Sequence, residues 1–292
     1  MFLQTCYVCT CIFFVGTLAC NFRDNDVTNP RLENNIVLVT SVYKAHSAIR
    51  QRNLNTILKS NCDNAYITQI HLLCDPEFDA SILQNVCEFP ACQKKVFLHH
   101  VTHDPSKDRY NLQRKSYLYS EFLEFINVEL AGSLVLLSNS DILFDESLEY
   151  AVPHYFDSNP LIFCLSRYNY HCPNTECHHD FCLPSLCIKS HGKSFDSFIF
   201  RSPVPKSLVL EANHPQDIIG AENRLMALFS KHNYTVVNPC KSIITMHKHC
   251  VRDENAYLNG FNILDRPIFQ ALPISLVSKE WLDLLQHILS KS

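Results

Sequence analysis

Four runs of strand length, beginning at residues 36, 65, 95 and 134, share one property: none alternates cleanly between apolar and polar residues. They read IVLVTSVY, AYITQIHLL, KVFLHHV and LVLLS. A strand with one solvated face shows a period of two, whereas a strand covered on both faces stays apolar throughout. The intervening stretches carry helical spacing: Ile49, Leu54, Ile57 and Leu58 within 45–61, and Leu118, Phe122, Phe125 and Ile126 within 109–130. Strands separated by helices of this length pair in parallel through right-handed crossovers. The expected fold is therefore α/β, a Rossmann-like, mostly parallel sheet with helices on both faces.

Beyond residue 160 the pattern loosens. Strands are expected at 161–169, 197–202, 234–239 and 242–249, and helices at 221–232 and near 281–289. Residues 21–34 read as a polar linker, and no Pro- or Gly-rich stretch follows, so 35–292 is expected to be a single domain. With 47% hydrophobic and 18% charged residues in 292, the chain can build a large core. A net charge of -4 and the lack of a dense Lys/Arg block exclude a nucleic-acid partner from the expectation. Only 5 Gly are present, with neither GxGxxG nor GxxxxGK[ST], so no glycine-rich phosphate loop is expected.

Residues 1–20 are uncharged, apolar near the middle and end in small residues, as a signal peptide does. A short uncleaved anchor is the alternative, and only then is a membrane expected as a partner. The 15 Cys, with Cys6, Cys9, Cys11 and Cys20 in the first segment and the rest beyond it, fit an oxidising compartment: the ER or Golgi lumen, or secretion. Cys172, Cys177, Cys182 and Cys187 are separated by gaps of four residues, with His171, His178 and His179 among them. Zinc knuckles use tighter spacing, so disulfides within a Cys-rich loop insertion are expected there instead. Asn233-Tyr234-Thr235 is an N-glycosylation sequon.

The fourth apolar run stops abruptly on Ser138-Asn139-Ser140-Asp141. In open α/β sheets ligands bind at the carboxyl ends of the strands, which is where this polar cluster falls. TMHKH places His247 and His249 two apart on a strand-like run, so both imidazoles can face one side. Carboxylate plus neutral imidazole suits a borderline divalent ion such as Mn2+.

The stretches LLSNSDILFDESL, CLSRYN, SFDSFIF, GAENRL and NPCKSIITMHKH, in that order, resemble nucleotide-sugar-dependent glycosyltransferases of the GT-A fold. The similarity is to a group with N-[AS]-D-I in place of D-x-D, and it implies a GT-A-like sheet. It also implies transfer of a sugar from a nucleotide-sugar donor to the hydroxyl of a glycan, protein or small molecule. Asp141 then matches the last acid of D-x-D, on a metal bridging the donor phosphates; His247, or failing that His249, completes the metal shell. Asn139 and Ser140 flank it. Glu222 matches the acid near the acceptor, a candidate base, and Asp196 is a second acidic candidate. Arg109 and Arg167 are expected on phosphate or sugar hydroxyls, and Thr40, Ser41 and Tyr43 on base and ribose.

Asn139 removes one negative charge from the D-x-D position, which weakens any divalent ion there. Plainer roles compete at each position: Arg167 paired with a structural carboxylate, Asp196 a turn former, Glu222 a first-turn acid, Asp145 a helix cap. Two other functions stand beside sugar transfer. One is an inactive sugar- or nucleotide-binding protein of the same fold, and the other a secreted interaction protein working through its Cys-rich insertion.

Overall fold

The computed structural model describes residues 35–45, 47–102, 116–157, 160–169, 195–217, 220–247 and 275–276. The N-terminal segment, the Cys-rich insertion, the helix expected near 281–289, Arg109 and His249 all lie outside these residues.

The chain begins β1 (Ile36–Ser41), α1 (Ala48–Asp63), β2 (Ile67–Cys74), α2 (Gln84–Cys87), α3 (Pro90–Lys95), β3 (Val96–His100), α4 (Tyr119–Glu129) and β4 (Leu134–Ser138). Next come β5 (Ile142–Phe144), α5 (His154–Asp157), β6 (Leu161–Ser166), β7 (Tyr168–Asn169) and β8 (Phe195–Arg201). Finally come α6 (Lys206–Glu211), α7 (Ala221–Lys231), β9 (Thr235–Asn238), β10 (Thr245–His247) and β11 (Ser275–Leu276). Eight strands form one sheet in the order β11-β9-β6-β8-β4-β1-β2-β3, and β5, β10 and β7 form a second, three-stranded sheet. In the large sheet only β8 runs against its neighbours, β4 and β6.

The apolar strands are covered on both sides, as their composition requires. Ile36 and Leu38 of β1 pack with Leu58 and Cys62 of α1 and Cys92 of α3, whereas Val37 and Val39 pack with Phe122 and Ile126 of α4 and Leu225 and Phe229 of α7. The sheet is thus wound in two directions. From β1 the chain steps through α1 to β2 and β3 on one side, then crosses by α4 on the opposite face to β4 on the other side. The strand order turns between β1 and β4.

Helix α1 is fastened along its length. Ser47 caps its start, accepting from the backbone N–H of Arg50. Toward the other end, buried Asn61 donates to the carbonyl of Ile142 (2.9 Å) and accepts from the N–H of Phe144 (3.1 Å). Asn64 donates to the carbonyls of Phe144 and Asp145. Cys62 is disulfide-bonded to Cys92, joining α1 to α3. Cys74 and Cys164 are buried thiols.

Some expectations shift. Ile49 is 39% exposed rather than part of the buried stripe, which consists of Leu54, Ile57, Leu58, Asn61 and Cys62. The run at 161–169 breaks at Arg167, so that β6 stays in the large sheet while β7 joins the small one. Asp145 does cap the 3-10 turn at Glu146–Tyr150, accepting from the N–H of Ser147 at 2.9 Å.

Asn61→Ala orphans a buried carbonyl and a buried N–H of β5, at about 1–3 kcal/mol for each. Urea unfolding is expected to show a lower midpoint with an unchanged m-value.

Candidate active site

The carboxyl ends of β1 and β4 lie side by side, Val39 opposite Leu137, at the place where the strand order turns. That is the position at which open α/β sheets hold ligands. A recess opens there, with Thr40, Ser41 and Tyr43 on one lip and Asn139 and Ser140 on the other. Gln51 and Asn55 of α1 line it as well. Five residues expected at a nucleotide site thus border one space. The hydroxyl oxygen of Thr40, a residue 5% exposed, has no hydrogen-bond partner among the described residues.

Beside the recess, Asp141 is 9% exposed and its Oδ2 accepts two hydrogen bonds. One comes from Arg50 Nη2 at 2.8 Å and the other from His247 Nε2 at 2.9 Å. A carboxylate only accepts, so Nε2 of His247 carries the proton. Register places the imidazole: β10 runs antiparallel to β5 with His247 opposite Ile142, next to Asp141 in the chain. Arg50 also donates to the hydroxyl of Tyr43 at 3.2 Å, and its Nη1 is buried without a partner among the described residues. Burial works against the guanidinium's charge, but Asp141 and Tyr43 outweigh it and hold Arg50 above the ordinary arginine range.

The reversal of β8 brings its first residues to the same edge. Ser138 and Ser197 share a hydrogen bond of 2.7 Å, and the backbone N–H of Asn139 donates to the carbonyl of Asp196 at 3.0 Å. The Asp196 carboxylate is 4% exposed; its Oδ1 accepts from Asn139 Nδ2 (3.1 Å) and from Arg167 Nη1 (3.0 Å). The contact gives a physical reason for an amide at position 139. A carboxylate at position 139 would face that of Asp196 with no proton between them, whereas the amide supplies a donor. Arg167 pairs with a carboxylate, and one edge of its fork, Nε, is buried and unpartnered.

Glu222 stands in the first turn of α7. Gly220, at φ 84°, lies in the left-handed region that side-chain-bearing residues rarely adopt, and it turns the chain into that helix. Burial, followed by the charge of Asp196 and more weakly that of Asp141, pushes the Glu222 carboxyl up to about 8; Arg167 and the residue's own backbone N–H pull it down without prevailing. Tyr119 of α4 is 1% exposed, and its phenol is driven well above its usual range by burial and then by Glu222 and Asp196. Three acids and a phenol therefore share one electrostatic neighbourhood with Arg50 and Arg167.

A divalent ion fits this donor set poorly. Arg50 Nη2 and His247 Nε2 both bond Oδ2 of Asp141, so an ion on that oxygen would have to displace a guanidinium and an imidazole. Among the described residues no group of three His, Cys, Asp or Glu side chains is arranged to hold a metal. Two members of the site have no counterpart in the expectations from sequence, Arg50 and Tyr119. For Arg50 a signal existed, an arginine three residues after a capping serine on the helix that follows β1; for Tyr119 there was none.

No family model matches the chain, and no curated protein matches it. Similar solved structures include Staphylococcus aureus TarS 1-349 in complex with UDP-GlcNAc, at 10% identity and a TM-score of 0.44, over 88% of this chain and 66% of that one. Another is the mannosyltransferase PcManGT from Pyrobaculum calidifontis with GDP-Man and Mn2+, at 12% identity and a TM-score of 0.46, over 78% of this chain and 60% of that one. A third is 4-diphosphocytidyl-2C-methyl-D-erythritol synthase from Anaerococcus prevotii, at 15% identity and a TM-score of 0.42, over 80% of this chain and all of the other. The chain thus spans less than two thirds of the first two. None reaches a TM-score of 0.5, so the chemistry of the site rests on its own residues.

Because the folded carboxyl of Glu222 titrates near 8 rather than near 4.5, the unfolded chain gives up this proton first as pH rises. Stability is lost through that window and levels off above it. Glu222→Gln is therefore expected to melt above the wild type at pH 8, with the gap closing toward pH 4, each 1 kcal/mol being worth about 2–4 °C.

Proposed function

We propose that the protein is a glycosyltransferase that moves a sugar from a nucleotide-sugar donor to an acceptor hydroxyl. The observation that carries this reading is the convergence of Asp141, His247 and Arg50 beside the recess at the turn of the strand order. Thr40, Ser41 and Tyr43 receive the base and ribose, and the diphosphate lies toward Arg50 and the Asn139–Asp141 corner. The acceptor oxygen attacks the anomeric carbon as the bond from that carbon to the diphosphate breaks. Glu222 takes the acceptor's proton, a single displacement that inverts the anomeric centre. Asp196, held by Asn139 and Arg167, keeps the ends of β4, β6 and β8 in place around the acceptor. The disulfide between Cys62 and Cys92 and the exposed sequon at Asn233 support a secretory location.

The test is turnover with a panel of UDP-, GDP- and CMP-sugars. Wild type is expected to release nucleotide, and Asp141→Asn to lose at least about a hundredfold in kcat/KM. Nucleotide binding without release from any donor would instead mark an inactive binding protein.

As a base, Glu222 must be ionised, so kcat/KM is expected to rise with pH along a limb near 8. Glu222→Gln should remove that limb and lower the rate by about 10²–10⁴-fold.

A further inference from the structure

From the pairing of Arg50 with Asp141, we propose that Arg50 is the cation that receives the donor diphosphate, and that nucleotide binding at this site needs no divalent metal. This inference rests on the reading of the site as a nucleotide-sugar site and deepens it.

Three observations support it. First, the guanidinium occupies one oxygen of the Asp141 carboxylate: Arg50 Nη2 lies 2.8 Å from Oδ2, with side-chain exposures of 14% and 12%. A metal on that oxygen would have to displace the guanidinium and pull His247 away from it as well. Second, the guanidinium is only half used. Nη2 serves Asp141 and Tyr43, while Nη1 is buried with no partner among the described residues, a cost that an incoming phosphate oxygen would relieve. Two N–H groups on a planar fork match the geometry of a phosphate. Third, the surroundings prepare it. Arg50 sits in the first turn of the 16-residue α1, where the helix dipole favours an anion, and it is bonded to Tyr43 on the lip of the recess. The hydroxyl of Thr40, buried and unpartnered on the same lip, is a second donor.

Asp141 then has a different task from the one its counterpart performs in D-x-D. It orients Arg50 and keeps the guanidinium from folding back into solvent, and His247 fixes the carboxylate in turn. Asn139 also falls into place, since a site whose cation is an arginine needs only one carboxylate to hold it.

The full chain is titrated with UDP, GDP and CDP by calorimetry, once in EDTA and once in Mn2+. Wild type is expected to bind at least one of them in EDTA, with Mn2+ changing the affinity less than about threefold, and Mn2+ alone is expected to leave the melting temperature unchanged. Arg50→Gln keeps an amide for Asp141 but loses the charge, and should weaken binding by about 10- to 100-fold. Arg50→Lys, a point charge without the fork, should fall between the two. Near-UV circular dichroism without nucleotide verifies that each variant is folded, and the lysine variant decides if the glutamine variant is not. Binding that appears only with Mn2+, or that is the same in wild type and both variants, overturns the inference and leaves the sugar-transfer reading standing. No binding of any nucleotide in either condition overturns both.

Discussion

A single oxygen, Oδ2 of Asp141, accepts from the guanidinium of Arg50 and from the imidazole of His247, and through it three separate parts of the chain are held together. Arg50 belongs to the start of α1, Asp141 to the link between β4 and β5, and His247 to the last residue of β10. A nearly buried carboxylate is costly unless its charge is matched, and here two donors converge on it from different elements. The small sheet β5-β10-β7 owes its place beside the large one partly to this bond and partly to the clasp of Asn61 and Asn64 on β5.

Charge is balanced tightly around that oxygen. Asp141 and Asp196 each have an arginine within hydrogen-bonding distance, and Glu222, the third acid, has none so close among the described residues and retains its proton near neutral pH. The difference between Glu222 and Asp196 follows from topology. Because β8 is reversed, Asp196 arrives at the edge where β4 and β6 end, and meets Asn139 and Arg167 there. Glu222 arrives from the helix side, next to a charge already present, and the two cannot both ionise without cost.

The sheet was legible because its signal is local and physical: uninterrupted apolar strands between amphipathic helices. Leu136 and Val37 must be buried wherever the chain goes, and the direction of β1 to β4 follows from the lengths between them. The convergence of Asp141 and His247 was legible from the polar break after β4 and the position of His247 on a strand. What the sequence did not disclose depends on distance along the chain. Arg50 lies 91 residues before Asp141, and a helix-borne arginine looks the same whether it meets solvent or a carboxylate. Asn139 read as a defect in a metal motif until Asp196, 57 residues away, supplied the reason for an amide. The reversal of β8 carries no mark at all, since its residues 195–200 are buried like those of β4 and β6 whichever way the strand runs.

Helix α1 grips one short segment at three points: Arg50 on Asp141, Asn61 on Ile142 and Phe144, and Asn64 on Phe144 and Asp145. A helix advances about 1.5 Å and turns about 100° with every residue. Adding or removing one residue between positions 50 and 61 would therefore swing the guanidinium to another side of the helix while the asparagines stayed in place. The spacing along α1 acts as a gauge that sets the guanidinium against the carboxylate.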